Sequence, residues 1–463
     1  MSSVMRLADL AVAAAMPAPA TPSEAASTAW PSDAMNSLTV GEAMHRLARE
    51  LYPLRRSLTG DGVRETLGRV GQLIPLTVTE TRTGTQVFDW TVPQEWNIRE
   101  AWVANAQGKR VIDLEDSTLH VVQYSVPVRQ RMSLAALRPH LHTLPDHPDW
   151  VPYRTSYYHE TWGFCLSQQT LDALPDGEYD VCIDSTLAPG NLTYAECELP
   201  GDDPQEVLLS CHSCHPALAN DNLSGIALAV AVTRALMQRT RRRWTYRVLF
   251  IPGTIGSITW LARNTAAARR VQHGLVLACA GDRGKLTYKR SRRGNATIDR
   301  AVEQVFRHAG APYEILDFSP YGYDERQYCS PGFDMPVGCF MRTPNGRYPE
   351  YHTSADNLEF ITPAHLGDSF ARLMDVVQVL EGDRMYASNN PYCEPQLGTR
   401  GLYRTTGGTH VPGYEMAMLW VLNQSDGSRS LLDIAERAAL PFALIRRAAD
   451  DLLAAGLIRE ADA

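Results

Sequence analysis

The chain has 463 residues, with 44 Lys and Arg against 52 Asp and Glu and a 44% hydrophobic content. That is enough apolar material for a sizeable core in more than one domain. The formal charge of −8 and the isoelectric point near 5.9 exclude broad electrostatic capture of nucleic acid or anionic lipid, and no run reaches the ~20 apolar residues of a bilayer span.

The nine cysteines are an odd number. Several, among them Cys182, Cys279 and Cys339, lie inside apolar runs where a thiol behaves as a small buried hydrophobe. A reducing cytoplasm is the expected compartment. Residues 1–37 are rich in Ala, Pro and Ser and read as a disordered tail. The weak signal-like stretch at 7–16 has little positive charge before it and is broken by Asp9.

Met44, Leu47, Leu51 and Leu54 then recur at helical spacing, interrupted at Pro53 and again around Gly60 and Gly62. Residues 38–85 are expected to join 190–395 in one α/β domain. Between them, 86–189 carry short β-prone runs, including 101–106, 109–114 and 120–124, which predict an inserted β-rich domain. From Glu206 onward, short apolar runs near 207, 246, 274 and 336 alternate with helical stretches at 226–237, 298–308 and 363–380. This is the pattern of a mostly parallel α/β sheet with strands buried on both faces.

Residues 400–463 form a separate module of three short helices. One opens on a capping box from Ser430 to Asp433, and the last follows Pro441 and closes at Gly456. The order reads as a winged-helix module. Acids outnumber arginines from Tyr414 onward, which favours a protein or peptide contact over DNA. The clusters Arg241, Arg242, Arg243 and Lys289 to Arg293 read as solvated faces, although Lys289 could sit at the rim of a site after Asp282.

Chemistry concentrates in the run 210–225, SCHSCHPALANDNLSG, at the carboxyl end of the Val207 strand. Open α/β sheets build their sites there. His212, His215 and Asp221 offer the imidazole and carboxylate donors of catalytic zinc within a dozen residues. Cys211 and Cys214 have a Cys-x-x-Cys spacing, but neither a second ligand pair nor a thioredoxin-like context accompanies it. Asp282 and His352 lie near two further strand ends. Polar groups gathered from three loops at one sheet edge favour a metal site over a hydrogen-bonded core cluster.

The same run, together with Thr254 to Ser257, the stretch DERQYCSPGFDMP at 324–336, and YHTSAD at 351–356, resembles a bacterial aminopeptidase-like family. Its members combine a zinc-aminopeptidase-type domain, a small inserted β domain and a C-terminal winged helix, and the resemblance covers about 38–463. It implies a metal centre of one or two zinc ions held by His215, Asp221, Asp282 and His352, with Asp221 as the bridging carboxylate and His212 as a substitute for His215. It further implies Asp324, Arg326 and Tyr328 on the substrate side. One departure stands out: where the family has a Glu, this chain has Gly253. Glycine can neither accept a proton nor bind a cation through a side chain, so Glu325 is nominated as the catalytic base.

The expected activity is metal-dependent hydrolysis of an amide or peptide bond at a substrate N-terminus. Its substrate would be a peptide or an amide-containing small molecule, with no nucleic acid or membrane partner and with room for a homo-oligomer. The alternatives are a degenerate member that binds a peptide or carrier without hydrolysis and, on charge the least favoured, a DNA-binding regulator.

Overall fold

A computed structural model describes residues 36–402 and 412–461. Of the expected disordered tail, residues 1–35 fall outside the described residues, while Asn36 and Ser37 are the N-cap and first residue of a helix. Among the described residues no helix is long and apolar enough to cross a membrane.

The centre of the molecule is one eight-stranded mixed sheet. From one edge to the other its strands are Thr77–Arg82, Asn191–Leu199, Trp244–Ile251, Asp203–His212, Val271–Leu277, Val337–Met341, Leu286–Lys289 and Tyr313–Leu316. The middle four run parallel to one another, and the antiparallel pairings lie outside them. Trp244–Ile251 is buried along its whole length, as a strand covered on both faces must be. The helix Gly225–Met237 has the matching property, with nearly every side chain out of water, because it lies between the sheet and the helices Ser37–Leu51 and Pro363–Gly382.

Those two outer helices approach very closely. Gly41 faces the Pro363 carbonyl, and Gly367 faces the Ser37 carbonyl; a Cβ on either glycine would collide with backbone, which cannot yield as a flexible side chain can. Gly41→Ala is therefore expected to destabilise the protein by about 1–3 kcal/mol. A lower urea midpoint with an unchanged m-value would register it.

Residues 95–188 add a second, antiparallel sheet in the order Arg110–Asp113, Glu95–Ala104, Glu178–Ala188, Val128–Ser133. The run 120–124, one of the short β-prone runs, makes only isolated bridges. Its polar groups are used across the domain boundary instead: Gln123 Nε2 donates to the Arg56 carbonyl at 3.0 Å, and the Tyr124 hydroxyl meets Thr59 Oγ1 at 2.6 Å.

At the carboxyl end, the helices Tyr414–Gln424, Leu431–Ala438 and Phe442–Ala454 pack with a three-stranded sheet of Asp426–Ser430, Met385–Ser388 and Ile458–Glu460. Met385–Ser388 lies in the stretch expected to finish the α/β domain, yet it pairs only with strands of the last module. The capping box is formed: Ser430 Oγ accepts from Asp433 N at 3.3 Å, and Asp433 Oδ2 accepts from Ser430 N at 2.8 Å.

Candidate functional site

His212 is the last residue of its strand, and the chain then loops into a tight turn, Ala219–Ser224, before the buried helix begins. Every residue of that turn is buried, so its backbone needs internal partners. Asp356 supplies two, accepting from Asn220 N at 2.6 Å and Asp221 N at 3.0 Å. Asn222 Nδ2 donates to the Leu277 carbonyl at 3.0 Å, Asn220 Oδ1 accepts from Gly281 N at 2.9 Å, and Ser224 Oγ accepts from Ala280 N at 2.9 Å. The turn is thereby stitched to the end of the neighbouring strand, and Asp221 is fixed without using its own carboxylate.

That carboxylate is fully buried and faces three imidazoles. His212 Nε2 lies 2.8 Å from Oδ1, His352 Nε2 lies 3.0 Å from Oδ2, and His215 Nε2 lies 3.9 Å from Oδ2. One donor atom each from His212, His215 and Asp221 falls within a 4.8 Å set. Aromatic rings hold the imidazoles in place: Tyr323 stacks on His212 with centroids 5.0 Å apart, and Tyr351 stacks on His352 at 3.9 Å. Tyr153, from the inserted region, touches both His215 and His352, at 5.2 and 5.0 Å.

Burial, followed by the neighbouring histidines and Arg56, outweighs the attraction of Asp221 and lowers the His215 pKa to about 3. The ring is therefore neutral at pH 7, the form that binds metals. For Asp221, burial alone would raise the pKa, but the charges of His215 and His212 and the hydrogen bonds from His212 and His352 hold it well below the usual carboxylate range. The site thus sets the neutral ring of His215 beside a permanent anion.

Not every expected residue joins this cluster. The Asp282 carboxylate is spent elsewhere: Oδ2 accepts from Asn220 Nδ2 at 2.9 Å and Thr343 N at 3.1 Å, while Oδ1 accepts from Gly284 N and Thr343 Oγ1, both at 2.6 Å. Four donors saturate it, so its place is as a buttress of the turn. The residue that the strand end brings towards Asp221 is Cys279, whose pKa burial and then the Asp221 charge raise; its Sγ lies 2.9 Å from the Tyr323 hydroxyl.

The motif at 324–328 is divided just as sharply. Glu325, nominated as base, is fully buried and paired with Lys289. Lys289 itself is interior, not a rim residue, and its Nζ also donates to the Ser319 and Tyr321 carbonyls. Tyr328 is core, with its hydroxyl 2.9 Å from Ser210 Oγ and its ring against Trp260. Arg326 is half-buried, and its guanidinium does not line the cavity beside the histidines.

Asp324 does line it. The cavity is small, about 140 Å³, and is bounded by His212, His215, Gly253, Thr254, Tyr321, Gly322, Tyr323, Asp324, Asn345 and Tyr351. Ser257 Oγ donates to Asp324 Oδ1 at 2.8 Å, and among the described residues Oδ2 has no hydrogen-bond partner. Burial is the main cause that pushes the Asp324 pKa up to about 6, against the lowering effect of His212.

The two Cys-x-x-Cys thiols do not act as a pair. Cys211 Sγ donates to the Leu249 carbonyl at 3.6 Å, whereas Cys214 Sγ lies 3.5 Å from His215 Nδ1. All nine cysteines are free, and only Cys393 is exposed.

Residues 45–383 match the model of a domain of unknown function, DUF4910, and residues 384–460 match a winged helix-turn-helix model. A Clostridium acetobutylicum protein described as a polysaccharide biosynthesis protein with an aminopeptidase-like domain is 48% identical over 425 residues, covering 92% of this chain and 98% of its own length. A crystal structure from the same organism, described as a peptidase, superposes with a TM-score of 0.88 at 46% identity, over 92% of this chain and 97% of the other. The zinc aminopeptidase of Bacillus subtilis shares the fold, with a TM-score of 0.56 at 12% identity over 74% of this chain and 95% of that one. The chain belongs to the family of that domain of unknown function, in which an aminopeptidase-like α/β domain is followed by a winged helix.

Proposed function

We propose that the protein is a metal-dependent hydrolase of an amide or peptide bond, with one zinc ion held by His212, His215, His352 and Asp221. The observation that carries this reading is the convergence of three imidazoles, from two separate segments of chain, on one buried carboxylate. The donor chemistry fits zinc, which takes neutral imidazole nitrogen and carboxylate oxygen. It supports one ion better than two, because the four donors on Asp282 leave that carboxylate no free lone pair for a second cation.

A bound zinc ion would polarise the scissile carbonyl and make water a competent nucleophile near neutral pH. The chain's own residues do the rest. Asp356 fixes the turn that presents Asp221, Tyr351 and Tyr323 set the planes of His352 and His212, and Tyr153 packs against the rings of His215 and His352. Support from relatives is of two kinds: a 48% identical protein described as aminopeptidase-like, and a zinc aminopeptidase with the same fold. The buried free thiols suit a reducing cytoplasm.

The test is metal analysis of the purified protein, followed by hydrolysis of a panel of amides and peptide anilides with and without chelator. About one equivalent of zinc per chain and chelator-sensitive cleavage are expected. A protein that binds no zinc, or cleaves equally well after metal removal, would refute the reading. Stoichiometric zinc with an inert panel would favour the binder over the hydrolase.

A further inference from the structure

The cavity beside the histidines contains one acid among the described residues that line it, and that acid is Asp324. Its two neighbours in the motif act as a frame. Glu325 is drawn to Lys289, and the Tyr328 hydroxyl to Ser210 on the sheet, so the short helix Glu325–Tyr328 is pinned at both ends. Asp324 alone is left facing inwards, with Oδ1 held by Ser257 and Oδ2 unpartnered.

Gly253 makes the room. A Cβ there would stand 3.2 Å from His212 Cβ and 3.4 and 3.6 Å from the two Asp324 oxygens. The glycine thus leaves open the space between the carboxylate and the imidazole cluster.

We propose that Asp324 is the proton acceptor of the hydrolytic site, and that the substrate is an uncharged N-acyl amide without a free amine next to the scissile carbonyl. This rests on the metal centre proposed above. As the water oxygen bonds to the carbonyl carbon, Asp324 takes one of its protons. When the C–N bond breaks, the same proton passes to the leaving nitrogen, which departs as an amine and leaves a carboxylic acid and the carboxylate of Asp324 restored. Burial, which keeps this carboxyl's affinity for protons near neutral pH, suits the role.

The substrate class follows from the count of charges. An ammonium group in so small a cavity would have Asp324 as its one counter-ion, and a carboxylate engaged by an ammonium is a poor proton acceptor. Desolvating the cation without that partner is costly. The other polar groups at hand, on Thr254, Tyr321, Asn345 and Tyr351, are uncharged, which matches the carbonyl and N–H of an acylated amide.

The experiment uses zinc-loaded full-length protein, with zinc affinity measured first by chelator competition. Calorimetry then compares N-acetylglycine hydroxamate with glycine hydroxamate, which differ by the free amine. The acetylated probe is expected to bind at least about tenfold tighter. In buffers of different ionisation enthalpy, wild type should release almost no proton on binding it, because Asp324 takes up the hydroxamic proton. Asp324→Asn should release about one proton to buffer, keep its zinc, and lose about 10²-fold or more in hydrolysis of an N-acetylated anilide.

Tighter binding of glycine hydroxamate, or its selective weakening in Asp324→Asn, would make Asp324 an amine anchor and overturn the proposal. Equal proton release by the two proteins would overturn the base. Absence of zinc from wild type would strike the metal centre itself, and this inference with it.

Discussion

Asp221→Asn is expected to weaken zinc binding by about 100-fold or more while leaving the fold in place. Removing even an outer-shell partner of a metal site costs about 10- to 100-fold in affinity, and Asp221 is the anion on which all three imidazoles converge. The substitution keeps the side-chain volume. The turn should survive, because the Asp221 backbone N–H is held by Asp356 rather than by its own carboxylate. Competition with a chromogenic chelator gives the affinity, and far-ultraviolet circular dichroism checks the fold. Unchanged zinc affinity would remove Asp221 from the site. Asp282→Asn is the companion control: its four donors are structural, so it should cost stability through the turn while zinc affinity falls much less than in Asp221→Asn.

The contrast between those two aspartates shows what could be read along the chain and what could not. His212, His215 and Asp221 share one short run at a strand end, and His352 lies shortly beyond another, so residue type and position were enough to single them out. Asp282 has the same local credentials, but its strand ends at Leu277 and the next few residues pass behind the turn. Whether such an aspartate faces a cavity or a set of N–H groups depends on contacts with Asn220 and Thr343, each about sixty residues away.

Adjacent acids pose the problem in its hardest form. Glu325 and Asp324 are one residue apart, and the sequence offers no periodicity over so short a helix to say which points inwards. Lys289, more than thirty positions earlier, decides it by pairing with Glu325. Tyr153 could not be anticipated from any motif, since it reaches His215 and His352 from the inserted region through folding alone. The strands and helices of the α/β domain were easier, because burial on both faces leaves a continuous apolar run. The run 120–124 is β-prone like its neighbours, but its polar side chains serve Arg56 and Thr59 instead of a ladder.

Asp324→Asn is expected to make the protein more stable at neutral pH, by about 1–3 kcal/mol, and the gain should vanish in acid. The sign follows from linkage. This carboxyl has a folded pKa raised to about 6 from its ordinary value of 3.8, chiefly by burial. A raised acid pKa means that the folded state holds the proton more tightly than the unfolded state does. The ionised carboxylate therefore costs stability above pH 6; the cost shrinks as pH falls from 6 towards 3.8, and below that it is gone.

The difference between 3.8 and about 6 corresponds to about 3 kcal/mol, and the lower bound allows for an asparagine amide that finds no partner where Oδ2 had none. The charged and titratable groups acting on Asp324 come from three directions: His212 at the strand end and Arg326 lower its pKa, while Glu325 raises it. None of them is altered by the substitution. Urea midpoints of the metal-free proteins at pH 8 and pH 4 should show the variant ahead at the first and level with wild type at the second. A buried carboxylate that only secured its loop would give the reverse, a loss of stability on removal at pH 8. Stability gained by deleting a charge is the expected mark of a group retained for chemistry, and the result needs no substrate to be read.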